Sequence, residues 1–396
     1  MPCTVRPRFQ RFLQSFQNTA AYNIFVVFVN KADTYTSQVY SASVSIKTIS
    51  THDEFYNFAT AGGSGTTIYQ LQNDLDFSDY NWVESSTTST FGGLFDGRHH
   101  TISNITIKGT SAKNVNVIYK VSGGSILNVK FHNITLIGDS NVSTRVAVIG
   151  QLCDGTIDNI ELRNITAVGF QSAAGMVGHV VGGVNYISRV SLVNDENQRI
   201  EVSAKYCGGI VGNVQKDTSE IIVECYIDNC YVNGVIGGTT DTGGYTGGIV
   251  GRYKNEFEDC VLSIEQCVVY GQIRTGKNYA GGITGGCDNG SGYTRIYRCL
   301  ADVTLYYVDK VIDGKEAVAV KNGSPIMGRQ TVGLGKFDYM ANYGPFADYN
   351  EGVSDAEDFE WNIKRDRFWT VNLRFDIENT WSVDLTTGKA VLIYQE

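Results

Sequence analysis

A five-residue pattern, two small residues followed by two apolar residues and a glycine, recurs along this 396-residue chain and limits the folds open to it. It reads Ala174-Gly175-Met176-Val177-Gly178, then Gly208-Gly209-Ile210-Val211-Gly212, Gly247-Gly248-Ile249-Val250-Gly251 and Gly281-Gly282-Ile283-Thr284-Gly285. Val146-Ala147-Val148-Ile149-Gly150 is a weaker copy, and Ser324-Pro325-Ile326-Met327-Gly328 is a last one. The closing glycines lie 28, 34, 39, 34 and 43 residues apart, so the variation in length belongs to the turns. Self-similarity at such periods marks a repeat architecture.

A second register runs Tyr226-Ile227-Asp228-Asn229-Cys230, Ile264-Glu265-Gln266-Cys267 and Ile296-Tyr297-Arg298-Cys299, with earlier relatives at Ile126-Leu127-Asn128-Val129 and Ile157-Asp158-Asn159-Ile160. Cys230, Cys267 and Cys299 stand where earlier copies carry Val or Ile, which reads them as buried small hydrophobes. A third register, Asn104-Ile105-Thr106, Asn133-Ile134-Thr135 and Asn164-Ile165-Thr166, is spaced 29 and 31. Three short β-rich segments per repeat do not suit a propeller, whose blades need four strands. They suit a solenoid of stacked three-strand coils with ladders of identical positions. Low proline (4 residues) fits strands that donate hydrogen bonds to both neighbours. The 44 glycines lack the three-residue period of collagen. The expected fold is all-β, a right-handed parallel β-helix of about eight coils with N- and C-terminal caps.

The residues also resemble a known family. Phe91-Gly-Gly-Leu-Phe-Asp96-Gly97 followed by Thr101-Ile-Ser-Asn-Ile105 looks like the opening coil of β-helical surface proteins carrying the GLUG motif, as does Glu54 through Tyr69 to Trp82. The Gly-Ile-Val-Gly copies are similar to the motif itself, and Leu373 through Trp381 resembles the family's closing segment. The resemblance covers about residues 48–396 and implies a β-helix in a surface or adhesive context, not a reaction. It departs at Arg98-His99-His100, where the family has a short turn, and it leaves residues 1–47 unmatched.

Four regions follow. Residues 1–47, with Arg6, Arg8 and Arg11 and an alternating run Val39–Ile46, are either a cap or a docking segment. Residues 48–90 hold a capping helix, Glu54 to Thr60, and the first coil. Residues 91–335 form the solenoid. Residues 336–396 carry Trp361, Trp369 and Trp381, read as a cap over the last coil or as a platform for stacking sugars.

No catalytic, cofactor-binding or metal-ligating residue is singled out. Asp154, Asp158, Glu161, Glu224 and Asp228 could form the carboxylate pair that glycoside hydrolysis needs, about 5–9.5 Å apart, but no motif selects two of them. Asp74, Asp76 and Asp79 alternate as calcium ligands can, without the glycine and distal glutamate of an EF-hand loop. His99-His100 reads as a solvated turn. The nine cysteines include no CxxC pair. The sequons at Asn104, Asn133, Asn141, Asn164, Asn289 and Asn322 include the three repeat triplets, so repeat chemistry accounts for those.

A net charge of −9 argues against nucleic-acid binding, and no apolar run is long enough for membrane insertion. The sequence therefore predicts a non-enzymatic attachment protein without cofactors. With no export signal legible, the first expectation is a capsid decoration, spike or fibre on a virus or phage particle, joined to assembly proteins through residues 1–47. The alternatives are an exported cell-surface adhesin and a tailspike-like polysaccharide depolymerase. Expected partners are a host-surface glycan or protein and further copies of the chain.

Overall fold

The computed structural model describes residues 22–26 and 40–395, less 64, 84–87, 110–113, 140–144, 196, 203–204, 217–221, 238–243, 255–259, 276–278, 289–291, 308–309, 313–322, 325, 329–335, 341 and 344–358. Most of residues 1–47, including the arginine-rich arm, thus lies outside the described residues, as do the sequons at Asn141, Asn289 and Asn322.

Parallel pairing dominates. One column of residues in register passes through Lys47, Tyr69, Phe95, Ile126, Ile157, Ile187, Ile227, Ile264, Ile296 and Tyr339. From Tyr69 to Ile296 that is eight coils, with a further strand paired at each end, and the chain is a parallel β-helix. The five-residue copies stack on one another as well. Ala174, Gly208, Gly247, Gly281 and Ser324 are in register, and so are Val177, Val211 and Val250, which continue to Thr284 and Met327.

Single residues in the left-handed conformation turn the strands. Asn128, Asn159, Arg189, Asn229, Gln266 and Arg298 occupy one corner position in successive coils, all with φ between 51° and 59°. Asn104, Asn133 and Asn164 make a second corner, with φ of 62°, 55° and 55°. Asparagine tolerates this conformation best among residues with a side chain. Its amide also hydrogen-bonds the next coil: Asn133 Nδ2 donates to Asn104 Oδ1 at 3.0 Å, and Asn159 Nδ2 to Asn128 Oδ1 at 2.9 Å. The sequons at Asn104, Asn133 and Asn164 are therefore structural ladders.

The interior is a continuous apolar column. Val129, Ile160, Val190, Cys230, Cys267 and Cys299 follow the corner residue in successive coils, and all are fully buried. Burial raises the Cys267 thiol pKa, helped by Cys230 and Cys299 on either side. Such thiols stay protonated and pack as hydrophobes.

At the N-terminal end of the stack, the helix His52–Ala61 starts from a capping box between Thr51 and Glu54 and drops Phe55, Phe58 and Ala59 into the open core. Phe58 stacks on Phe95 at 4.8 Å between ring centroids. The adjoining strand, Tyr40–Ile49, pairs with Thr67–Leu71 and with Tyr22–Val26.

A strapped side face as the candidate functional site

Of the region 336–396 expected to cap the stack, Lys336–Met340 pairs on the last coil and Tyr343 bridges to Leu300, while the rest of its described residues takes another course. Among the described residues, 359–395 lie against the outside of the stack and run back along it. They bury Phe368, Trp369, Leu373, Phe375, Trp381 and Ala390 against Tyr231, Val268, Tyr270 and Leu300 of three successive coils. Polar contacts follow the first corner row step by step. Gln266 donates its side-chain amide to the Arg374 carbonyl, Trp381 Nε1 donates to Asn229 Oδ1 at 3.0 Å, and Arg189 donates to the Gln395 side chain. Asn159 Nδ2 donates to the Gln395 carbonyl at 2.7 Å, while Gln395 N donates back to Asn159 Oδ1 at 3.2 Å. Farther on, Lys130 Nζ lies 4.7 Å from the Tyr394 ring centroid, and His99 meets the same ring edge-on at 5.8 Å.

Between the strap's hairpin and the coils, a cleft of about 500 Å³ opens. Its lining includes Tyr231, Asn233, Tyr270, Asp302 and Thr304 of the coils and Lys389 of the hairpin Trp381–Leu392. Asn233, Tyr270 and Asp302 occupy one column of three adjacent coils. Gly271, the next residue in the column beside it, lines the cleft without a side chain to fill it. Tyr270 is held in place because its hydroxyl accepts a hydrogen bond from Ala390 N at 3.0 Å.

The residues weighed from sequence are spread over the molecule and mostly brace coils. Asp158 pairs with Arg189, Glu161 accepts from His132 at 2.9 Å, Glu224 accepts from the Tyr226 hydroxyl at 2.6 Å, and Asp154 accepts from Val184 N at 2.8 Å. The hydrogen bond from His132 lowers the Glu161 pKa, whereas burial raises that of Asp228, which accepts from Ser188 and Asn229. Asp74 accepts from Thr101 N at 2.8 Å and from His100, and Asp76 from Asn104 and Ser78 N, so both carboxylates serve turns. Among the described residues, no three His, Cys, Asp or Glu side chains come together in a way that could hold a metal. The turn His99-His100 is not simply solvated: His99 packs on Tyr394 and His100 bonds Asp74. Of the three tryptophans, Trp369 and Trp381 are fully buried, so they cannot form a sugar-stacking platform.

A second polar brace joins later coils. Arg252, 7% exposed, reaches Asp288 Oδ2 at 2.7 Å, the Tyr206 hydroxyl at 2.6 Å and Gln215 at 3.1 Å. The Tyr245 hydroxyl closes on Asp288 Oδ1 at 2.6 Å.

The cleft was missed from sequence because one of its walls, Lys389 and Val391, comes from the non-repetitive strap. The one signal available was the pair Gly234 and Gly271, each four residues beyond the column cysteines Cys230 and Cys267, where the other coils carry Asn or Val.

These features define a class: a parallel β-helix closed at one end by a helix and bound along its side by its own C-terminal strap. Among solved structures, the chain is similar to one described as a "putative immunoglobulin A1 protease" from Bacteroides ovatus. The two are 19% identical, with a TM-score of 0.58, over 89% of this chain and 93% of that one. The likeness shows a shared fold. No protein-family model matches the chain, and no curated protein does.

Proposed function

We propose that this chain is a non-catalytic attachment protein displayed at a cell surface, using the β-helix as a rigid stalk and its side face for contact. The observation that carries the reading is how the polar groups are used. Asp154, Asp158, Glu161, Glu224 and Asp228, the carboxylates weighed for hydrolysis, are each tied to a neighbouring side chain or backbone N–H, while polar side chains converge on the cleft beside the strap. The resemblance to GLUG-motif surface proteins and the fold shared with a Bacteroides chain support a bacterial surface setting. A capsid decoration anchored through residues 1–47 draws on a segment that lies mostly outside the described residues, so the exported adhesin is the better-supported reading.

Labelling intact source cells with an antibody to the folded chain tests the display, and adhesion of cells lacking the protein tests the attachment. Label that appears only after the cells are lysed would sink the surface reading. Incubation with immunoglobulin A1 and with capsular polysaccharides tests the enzymatic alternatives. The expected result is intact hinge peptide and no new reducing or unsaturated ends.

A further inference from the structure

The geometry points to the cleft beside the strap as a binding site for a neutral pyranose-containing mono- or disaccharide. A volume of about 500 Å³ lies within the roughly 300–1,000 Å³ of small-molecule sites. Neighbouring coils stack at ~4.8 Å, so Asn233 and Asp302, two coils apart in one column, stand about 10 Å from each other with Tyr270 between them. That span brackets one sugar ring, with planar hydrogen-bonding groups at either edge and the buried Tyr270 forming the floor between them.

The charges narrow the ligand class. Asp302 and Lys389 offset one another, so the lining lacks the cationic excess that a phosphate or sulfate ester needs. A wholly apolar ligand would strip water from Asn233, Asp302, Thr304 and Lys389 without replacing its hydrogen bonds. A sugar offers hydroxyls for the polar groups and C–H carbon for exposed Val391 and the small open edges of Tyr231 and Tyr270, which are 5% and 7% exposed. The site is also pre-organised: Ala390 N fixes the Tyr270 hydroxyl, and Gly271 leaves room where a side chain would intrude. This deepens the attachment reading and rests on it for its biological purpose.

The test is titration of the purified full chain with methyl galactoside, methyl mannoside, N-acetylglucosamine and lactose, followed by saturation-transfer NMR and calorimetry. At least one should bind with a Kd of about 1 mM or tighter. Asn233→Ala and Asp302→Ala should each weaken it tenfold or more. Val391→Trp, which enlarges an exposed residue at the cleft, should abolish binding while leaving the thermal melt unchanged. Tyr186→Ala, on an exposed tyrosine outside the cleft, should bind as the parent does. Absence of binding by all four sugars, or unaltered binding by the folded cleft variants, overturns the proposal. Cell adhesion is scored in parallel. Sugar binding by a chain that mediates no adhesion upholds the cleft and removes the attachment reading. Adhesion that persists after the cleft variants lose the sugar upholds both and places adhesion on another surface.

Discussion

The indole Nε1–H of Trp381 donates to Oδ1 of Asn229 at 3.0 Å, joining residues 152 positions apart in sequence. Asn229 is a left-handed corner of the β-helix, and Trp381 is fully buried in the strap. One bond thus ties the non-repetitive tail to the repeat's turning point.

Trp381→Ala should release the strap without melting the solenoid. Removing a buried tryptophan costs about 3–5 kcal/mol, and the loss here is local to the tail. Hydrogen exchange across residues 381–393 should quicken by about a hundredfold or more, with protection at Ile264 and Ile296 unchanged. Uniform loss of protection would show that strap and stack unfold as one unit.

Asn133→Ala should destabilise the protein by about 1–3 kcal/mol, from the left-handed conformation that alanine resists and the lost bond to Asn104. Asn133→Gly keeps the backbone relaxed and should lose less. Urea denaturation of the two variants checks the order. By the same geometry, Asn104, Asn133 and Asn164 should remain unglycosylated in a host that modifies sequons, as intact-mass measurement would report.

Gly247→Ala tests the nesting of the repeat loops. A methyl group there would overlap the Val250 carbonyl oxygen and come within 2.5 Å of Gly285 N in the next coil. The cost should be about 1–3 kcal/mol or more. At Gly123, with φ of 69°, a methyl group would meet nothing within 4 Å, so Gly123→Ala carries only the conformational penalty of about 1–2 kcal/mol. A thermal-melt comparison separates crowding from backbone strain.

His179 gives a pH dependence. It is 6% exposed, 3.0 Å from Asn213, and burial together with Arg145 and Arg252 lowers its pKa from 6.5 to about 3. The folded protein keeps the ring neutral, whereas the unfolded chain protonates it below pH 6.5. Stability is therefore unaffected above that value and is lost as pH falls from 6.5 toward 3. At pH 4.5 the loss is about 2–3 kcal/mol. The urea midpoint of His179→Gln should fall less than the parent's between pH 7 and 4.5. An equal fall would assign the acid sensitivity to other groups.

The coils were legible in the sequence because stacking repeats the same demand at each level. Val129, Ile160, Val190 and Cys230 answer one interior position, and Asn128, Asn159 and Asn229 answer one corner. The strap was not legible, because each of its contacts is made once. The aromatic content of residues 336–396 announced burial without saying where, and a cap over the end was as consistent with Trp369 and Trp381 as a band along the side. The turn at Arg98-His99-His100, an oddity in sequence, becomes intelligible only when His99 meets Tyr394.

Because the strap touches Gln266, Asn229, Arg189 and Asn159 in order, it measures three coil spacings, about 14 Å at the stacking rise. It works as a ruler laid against the stack. A coil duplicated between Asn159 and Gln266 would leave the tail short by one graduation, whereas one added ahead of His99, the last residue the strap reaches, would go unmeasured. The stack can thus lengthen at one end without disturbing the strap and is held to a fixed length where the strap spans it.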